Sequence, residues 1–173
     1  GQEWVDEAKR RGLSNLKDTP RALMPLIDKK VIEMFERLKI LTARELHARF
    51  DIELDKYKMK VQIESRICAE MAQNNIIPTA IKYQNALIEN VKGINDILGK
   101  DAKSANATQI SMIQEISKHI EMIKTNVDAM VQARKDANKI QDAYKSAVAY
   151  CEKVKPYMDV IRYHADKLEI VVD

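Results

Sequence analysis

The most regular segment of the sequence is 113-IQEISKHIEMIKTNVDAM-130. Its apolar residues recur at alternating intervals of three and four positions: Ile113, Ile116, Ile120, Ile123, Val127 and Met130. Side chains at this spacing share one face of an α-helix and form a seam along which two helices cross at a shallow angle. The segment therefore predicts a long helix that packs side by side with another helix.

A second seam follows after Arg134, where the first one fails. Its members are Ala137, Ile140, Tyr144, Ala147, Cys151, Val154, Met158, Ile161, Ala165 and Leu168. The interval from Ala137 to Ile140 is three residues, although the alternation requires four. Such a shift is typical of a stammer or a turn. Asp136 and Asn138 favour a turn, so we expect a hairpin or sharp bend at 134–139. Pro156 is expected to kink the later run or to start a new helix.

The first half of the chain predicts another long helix. Thr42 and Glu45 have the spacing of a capping box, and nothing breaks a helix from there to Asn74. Its apolar stripe, with Glu64 inside it, consists of Leu46, Phe50, Leu54, Tyr57, Val61, Cys68 and Met71. Pro78, preceded by two asparagines, is expected to end or kink this segment. A further helix should stop at Gly99, and 100–107 should form a connection.

Residues 1–41 predict a lead-in of short helices. We expect one helix to stop at Gly12, and a second to have Thr19 as its cap with Pro20 in the first turn. After a break at Pro25 and Asp28, a third carries an apolar face made of Val31, Ile32, Phe35 and Leu38. Residues 42–173 then form a helical bundle, with one domain in all.

The composition supports the same fold class. Of 173 residues, 46% are hydrophobic and 32% are charged, but only 4 are glycine and 4 are proline. Sandwiches and barrels need turn residues every few positions, so this scarcity argues against them. The predicted fold is all-α: an elongated antiparallel bundle of about five or six helices, some long and kinked.

The charge pattern excludes several partners. The net charge is +3, and both signs are mixed along the chain without a basic stripe. Nucleic acid is therefore not expected as the main ligand.

No apolar run reaches the length of a membrane span, and no secretory signal follows the N-terminus. Cys68 and Cys151 lie far apart among apolar residues, so a reducing, cytoplasmic location is predicted.

The search for chemistry finds no site. Di-iron bundles need Glu-x-x-His pairs, which the sequence lacks; Glu115 and His119, four residues apart, predict a surface hydrogen bond instead. His47, His119 and His164 are scattered, so a zinc site is not expected. The four glycines are isolated and form no phosphate loop. We therefore predict no catalytic, cofactor-binding or metal-ligating residue in this chain.

Three features keep a functional alternative beside the structural one. Glu64 and Arg66 predict a buried or half-buried ion pair with another helix, or else a ligand-binding role. The segment 74–78 predicts a helix terminator whose isoleucines dock into the core, or else a functional loop. The 8 methionines predict core filling rather than a promiscuous peptide groove.

Four segments resemble the C-terminal region of type III glutamine synthetases. The most specific are VQIESR at 61–66 and NNIIPTAIKYQNALIENVKG at 74–93. AYCEKVKPYMDVIRYHADKLE at 149–169 is similar to that family's last helical segment, and EWVDEAKRRGLSNL at 3–16 to its lead-in from the catalytic part. The resemblance spans nearly the whole chain and is least distinctive over 100–140.

The resemblance implies a parent enzyme with properties that the residues alone do not reveal. That family makes glutamine from glutamate, ammonia and ATP with Mg or Mn, in nitrogen assimilation, and its members form double-ringed oligomers. Its catalytic barrel and its metal and nucleotide residues lie upstream of this region. The resemblance thus predicts a non-catalytic C-terminal domain whose partners are the rest of the parent polypeptide and neighbouring subunits.

Three classes of function remain open at this stage. The first is a structural or interaction domain of a glutamine synthetase, serving assembly or transmitting regulation. The second is a stand-alone helical module that accepts a partner helix in a groove. The third is a bundle enzyme with a cryptic site. An upstream catalytic barrel in the same reading frame would distinguish the first from the second.

Overall fold

The computed structural model describes residues 1–172 and confirms the predicted fold class. Over these residues the chain is 88% helical and contains no strand. Six continuous helical stretches follow one another, and the longest of them give the molecule its elongated form. The prediction of an all-α bundle of about five or six helices, some of them long, is confirmed.

The elements are numbered in chain order. The α-helices are α1 (Gln2–Arg10), α2 (Thr19–Leu23), α3 (Lys29–Arg37), α4 (Ala43–Met71), α5 (Ile77–Leu98), α6 (Ala102–Ala105), α7 (Ala107–Asn138), α8 (Ala143–Ala149) and α9 (Lys155–Val171). Two 3₁₀ turns, Met24–Ile27 and Gly99–Asp101, and two π-turns, Ala72–Ile76 and Tyr150–Val154, join some of them without a break.

Three rods make the bundle. The first is α4 with α5, the second is α7, and the third is α8 with α9. The first two run antiparallel, because the Gln84 side chain donates to the carbonyl of Ile113 at 2.9 Å while Asn106 Nδ2 donates to Asn95 at 2.9 Å. The third rod returns along α7, its main packing partner. At about 1.5 Å per residue the first rod is about 80 Å long.

The two prolines inside the rods do not end them. Each is the second residue of a helix that follows a π-turn: Pro78 after Ala72–Ile76, and Pro156 after Tyr150–Val154. The Ile77 N–H donates to Ala72 and the Lys155 N–H to Tyr150, five residues back in both cases. A proline ring clashes with the carbonyl four residues before it, and a π-turn shifts that carbonyl by one residue. The predicted breaks are therefore π-turns within continuous helices.

The core lies along the predicted seams. Four members of the first seam are buried, namely Ile116, Ile123, Val127 and Met130, while Ile113 and Ile120 are half-buried. In the third rod the most enclosed side chains are Ala147, Tyr150, Val154, Ile161 and Leu168. The Tyr150 hydroxyl donates to Asn138 Oδ1 at 2.7 Å, so the one polar atom of this ring is satisfied.

A smaller cluster holds the lead-in on the bundle. Phe50, Leu54 and Ala147 are buried together, and Leu23, Leu26 and Ile27 pack against them. The Arg21 guanidinium adds ion pairs to Asp18, at 2.6 Å, and to Glu152 of the second π-turn. The division at residues 41 and 42 stays a prediction.

Two local predictions were displaced along the chain. The cap of α2 is Asp18, not Thr19, because the Asp18 carboxylate accepts the Arg21 N–H at 2.9 Å. The bend expected at 134–139 lies at 139–142, since α7 continues to Asn138 and Asp142 caps α8. The predicted stops at Gly12 and Gly99 are confirmed, with positive φ angles of 74° and 56° that favour glycine.

The capping box at the start of α4 is confirmed and gives a first prediction. Thr42 Oγ1 accepts the Glu45 N–H at 3.3 Å, and the Glu45 carboxylate accepts the Thr42 N–H at 2.8 Å. We expect Thr42→Ala to lower the free energy of unfolding by about 1 kcal/mol in urea melts, because the Glu45 N–H at the helix end loses its acceptor and the Glu45 carboxylate loses the Thr42 hydroxyl. The exposed Thr79→Ala change within α5 is the control and should stay within about 0.5 kcal/mol. An equal loss in both variants would contradict this account.

Candidate interaction surface

Helix α4 is apolar on two opposite faces. One face carries Leu54, Val61 and Ser65 into the core. On the other face are five large side chains, each between 50% and 60% exposed, which we call the α4 stripe: Ile52, Met59, Ile63, Ile67 and Met71. At about 100° per residue, Ile63 points away from Val61 and Ser65 and hence away from the core. Met71, predicted as a core residue, belongs to this outer surface.

Charged residues lie beside the α4 stripe and within it. Lys56 pairs with Glu53 at 2.7 Å, and Lys58 pairs with Asp55 at 2.9 Å. Exposed pairs of this kind contribute about 0–1 kcal/mol each, so they add little to stability. Lys56 comes seven residues before Ile63 and therefore lies on the same face, so this surface combines apolar and charged side chains, as non-obligate protein–protein interfaces do.

The ion pair predicted for Glu64 and Arg66 is wrong. Both side chains are exposed, and neither forms an ion pair with any residue of the described chain. The residue that enters the core is Ser65 between them, whose hydroxyl donates to the carbonyl of Gln62 at 3.0 Å. Helical geometry explains the result, because residues one position on either side of a core residue are rotated by about 100° out of the core.

The π-turn at 72–76 confirms only half of the structural interpretation of the segment 74–78: the isoleucines dock into the core, but the helix does not terminate there. Ile76 and Ile77 are half-buried and pack against the main core cluster, as predicted. Asn74 and Asn75 are exposed on the outside of the turn. The turn thus keeps the first rod continuous and attaches its middle to α7 and α9.

Helix α1 forms a second exposed surface. It contains no buried residue, and Trp4 is 59% exposed. Leu13 and Leu16, in the segment that follows, are also exposed. Large apolar side chains grouped in this way on a surface are typical of contact sites.

The three histidines were predicted to be scattered, but two of them lie side by side. His119 of α7 and His164 of α9 face each other with their Nδ1 atoms 2.8 Å apart. His119 is only 9% exposed, and its Nε2 is 3.8 Å from the Glu115 carboxylate, so the predicted surface hydrogen bond between Glu115 and His119 is wrong. The two histidines are 45 residues apart, which hides the pair in the sequence, although each lies beside a seam residue.

The Cys68 thiol and the Tyr57 phenol do not have the properties of nucleophiles. Both cysteines are free and half-buried. Burial raises the pKa of the Cys68 thiol, which keeps it protonated at neutral pH. Burial, and next a hydrogen bond with Cys151, also raise the pKa of Tyr57 well above its usual range. These groups contribute to packing.

Two further searches over residues 1–172 bear on function. No helix in this range is both long enough and apolar enough to cross a bilayer. Nor do three or more histidine, cysteine, aspartate or glutamate side chains converge there as a metal site would require. The α4 stripe and α1 are among the exposed apolar surfaces that remain.

Comparison with known proteins identifies the family. The family profile described as "Glutamine synthetase C-terminal domain" matches residues 1–95, which include α1 and the whole of α4. The chain belongs to this family. A glutamine synthetase of Bacteroides fragilis is 40% identical over 173 residues, and that alignment covers 99% of the chain. A type-3 glutamine synthetase of Dictyostelium discoideum is 26% identical over 175 positions, covering 99% of the chain.

The glutamine synthetase relatives are much longer than this chain. The chain spans 24% of the Bacteroides fragilis protein and 23% of the Dictyostelium discoideum protein. A glutamine synthetase of Butyrivibrio fibrisolvens, 27% identical over 98% of the chain, gives the same 24%. The resemblance to the C-terminal domain of type III glutamine synthetases is thereby confirmed.

Proposed function

We propose that this chain is a non-catalytic helical domain that serves the assembly of a glutamine synthetase. In this proposal the α4 stripe packs against a neighbouring subunit, on polypeptide outside residues 1–173. The observation that carries the proposal is the stripe itself: five large apolar side chains on the face of α4 opposite its core.

The physical reason is the hydrophobic effect. Burying the exposed half of one Ile or Met side chain contributes about 1 kcal/mol. The stripe extends about 28 Å along the helix, so it offers five such contributions to one elongated partner surface. The charged residues beside the stripe can remain hydrated at the edge of the contact, where they oppose incorrect pairing.

The length of the relatives supports the proposal that another part of the same enzyme covers the α4 stripe. This chain matches 24% of the Bacteroides fragilis glutamine synthetase, so about three quarters of such a protein lies outside it. A rod about 80 Å long is well suited to reach beyond its own subunit. The remaining polypeptide would hold ATP and Mg or Mn and ligate ammonia to glutamate. The whole enzyme would act in the cytoplasm, where Cys68 and Cys151 stay reduced.

Site-specific cross-linking tests which polypeptide covers the α4 stripe. A photoreactive amino acid replaces Ile63 in a glutamine synthetase that contains this chain, and Ile97 of α5, 83% exposed, is the matched control position. We expect a covalent dimer of subunits from position 63 only, with cross-linked peptides from outside residues 1–173. Cross-links to an unrelated protein would favour the stand-alone module. Equal, background cross-linking at both positions would show that the stripe faces solvent.

The proposal also predicts that the isolated chain makes no glutamine. The described residues hold no cluster of metal ligands, and the family's catalytic motifs are not found in the sequence. γ-Glutamyl transfer by the purified 173-residue chain, with glutamine, hydroxylamine, ADP, arsenate and Mn²⁺ supplied, should equal that of a heat-treated sample. Activity above that background would contradict the non-catalytic assignment.

A further inference from the structure

The His119–His164 pair joins the two helices that contact each other most, α7 and α9. The Nδ1 atoms are 2.8 Å apart, the ring centroids 5.1 Å apart, and the ring planes inclined by 51°. A separation of 2.8 Å between two nitrogens is a hydrogen bond, which requires one N–H and one lone pair. The pair can form this bond only if at least one of the two rings is neutral.

The surroundings indicate which ring donates. The Glu115 carboxylate lies 3.8 Å from His119 Nε2 and favours a proton on that nitrogen. His119 Nδ1 then has a free lone pair, and His164 donates its Nδ1–H to it. The bond survives one added proton, because one ring can still be neutral and accept it. A second added proton would replace the bond with two facing N–H groups.

Among the other groups near the histidine pair, some favour its protonation and others oppose it. On α7, the Glu115 carboxylate favours protonation and Lys118 opposes it by charge; on α9, the Tyr163 ring contacts His164 edge-on with Lys167 above it.

We propose that the His119–His164 pair is a pH-sensitive latch that holds the C-terminal part of α9 on α7 and releases it on acidification. This inference is independent of the assembly function. Burial first, and then the proximity of His119 and Lys118, lower the pKa of His164. The folded pair therefore binds fewer protons than the unfolded chain, whose histidines titrate near about 6.5. By linkage, the closed state is fully stable above that pH and loses stability as the pH falls below it.

Hydrogen exchange of the 173-residue chain tests the latch. Exchange is measured by mass spectrometry at pH 7.5 and pH 5.0, with labelling times scaled for the intrinsic pH dependence. We expect peptides from 157–170 to exchange at least tenfold faster at pH 5.0, while peptides from 46–61 in α4 change less than about twofold. Equal protection of 157–170 at both pH values would overturn the proposal.

Variants assign the effect to the pair. His164→Gln should reduce the tenfold pH effect in 157–170 to less than about twofold, because glutamine does not titrate. His119→Gln should do the same and gives a second result if the first variant folds poorly. The exposed His47→Gln is the matched control and should keep the wild-type response. A full pH response in His164→Gln or His119→Gln, or its loss in His47→Gln, would overturn the assignment.

Discussion

Replacing Ile123 with alanine should lower the free energy of unfolding by about 2–5 kcal/mol. Ile123 lies in the middle of the first seam, is 0% exposed, and belongs to the main core cluster with Val127 and Met130. The change removes three methyl or methylene carbons and leaves a cavity that the surrounding side chains of the core cluster fill only in part. Urea melts of the 173-residue chain, followed by circular dichroism at 222 nm, measure the loss.

Two controls define this effect. Ile97→Ala is the same substitution at an 83% exposed position and should change stability by less than about 0.5 kcal/mol. Ile120→Ala, at a half-buried position in the same seam, should give an intermediate loss. A loss below about 0.5 kcal/mol for Ile123→Ala would show that the seam faces solvent and that the helical register is wrong.

The seam positions show why the fold was predictable from the sequence. Ile116, Ile123 and Val127 recur with a helical period over many turns, and only a long helix with one buried face satisfies that pattern. The capping box at Thr42 and the positive φ at Gly99 are likewise local, because a few neighbouring residues determine each of them. Burial of the seam residues required no knowledge of the partner helix.

The two π-turns show where the sequence was insufficient. Pro78 and Pro156 disfavour a regular helix locally, and the sequence alone predicts a break or kink. The structure instead retains both helices, because Ile76 and Ile77 on one side and Val154 on the other gain contacts with the core. Tertiary packing outweighs the local preference at these positions. The same competition extends α7 to Asn138, beyond the turn signals at Asp136 and Asn138.

The candidate surface was only partly visible in the sequence. Helix α4 is apolar on two faces, and spacing alone does not show which residues face solvent. Met71 was therefore assigned to the core, although it is exposed. The histidine pair was missed because His119 and His164 come together only when α9 folds back along α7. The i, i+4 recurrence of Met59, Ile63 and Ile67 is a signal that could have indicated the second face.

The second large effect is expected from placing charge on the α4 stripe. Ile63→Glu combined with Ile67→Glu would bury two carboxylates without partners in the proposed contact with a neighbouring subunit. An uncompensated buried charge costs about 3–5 kcal/mol, and each 1.4 kcal/mol is about tenfold in affinity. Subunit association should therefore weaken by more than about 100-fold. Both positions are exposed in this domain, so its own helicity and melting temperature should stay close to wild type.

The native mass of the glutamine synthetase that carries this pair tests the assembly claim most directly. Sedimentation velocity at fixed protein concentration compares it with the wild type and with Ile97→Glu combined with Ile170→Glu, the same change at two exposed isoleucines away from the stripe. The proposed function predicts full-mass assemblies for the wild type and the control pair, and smaller species for the stripe pair. An unchanged native mass for the stripe pair would contradict it.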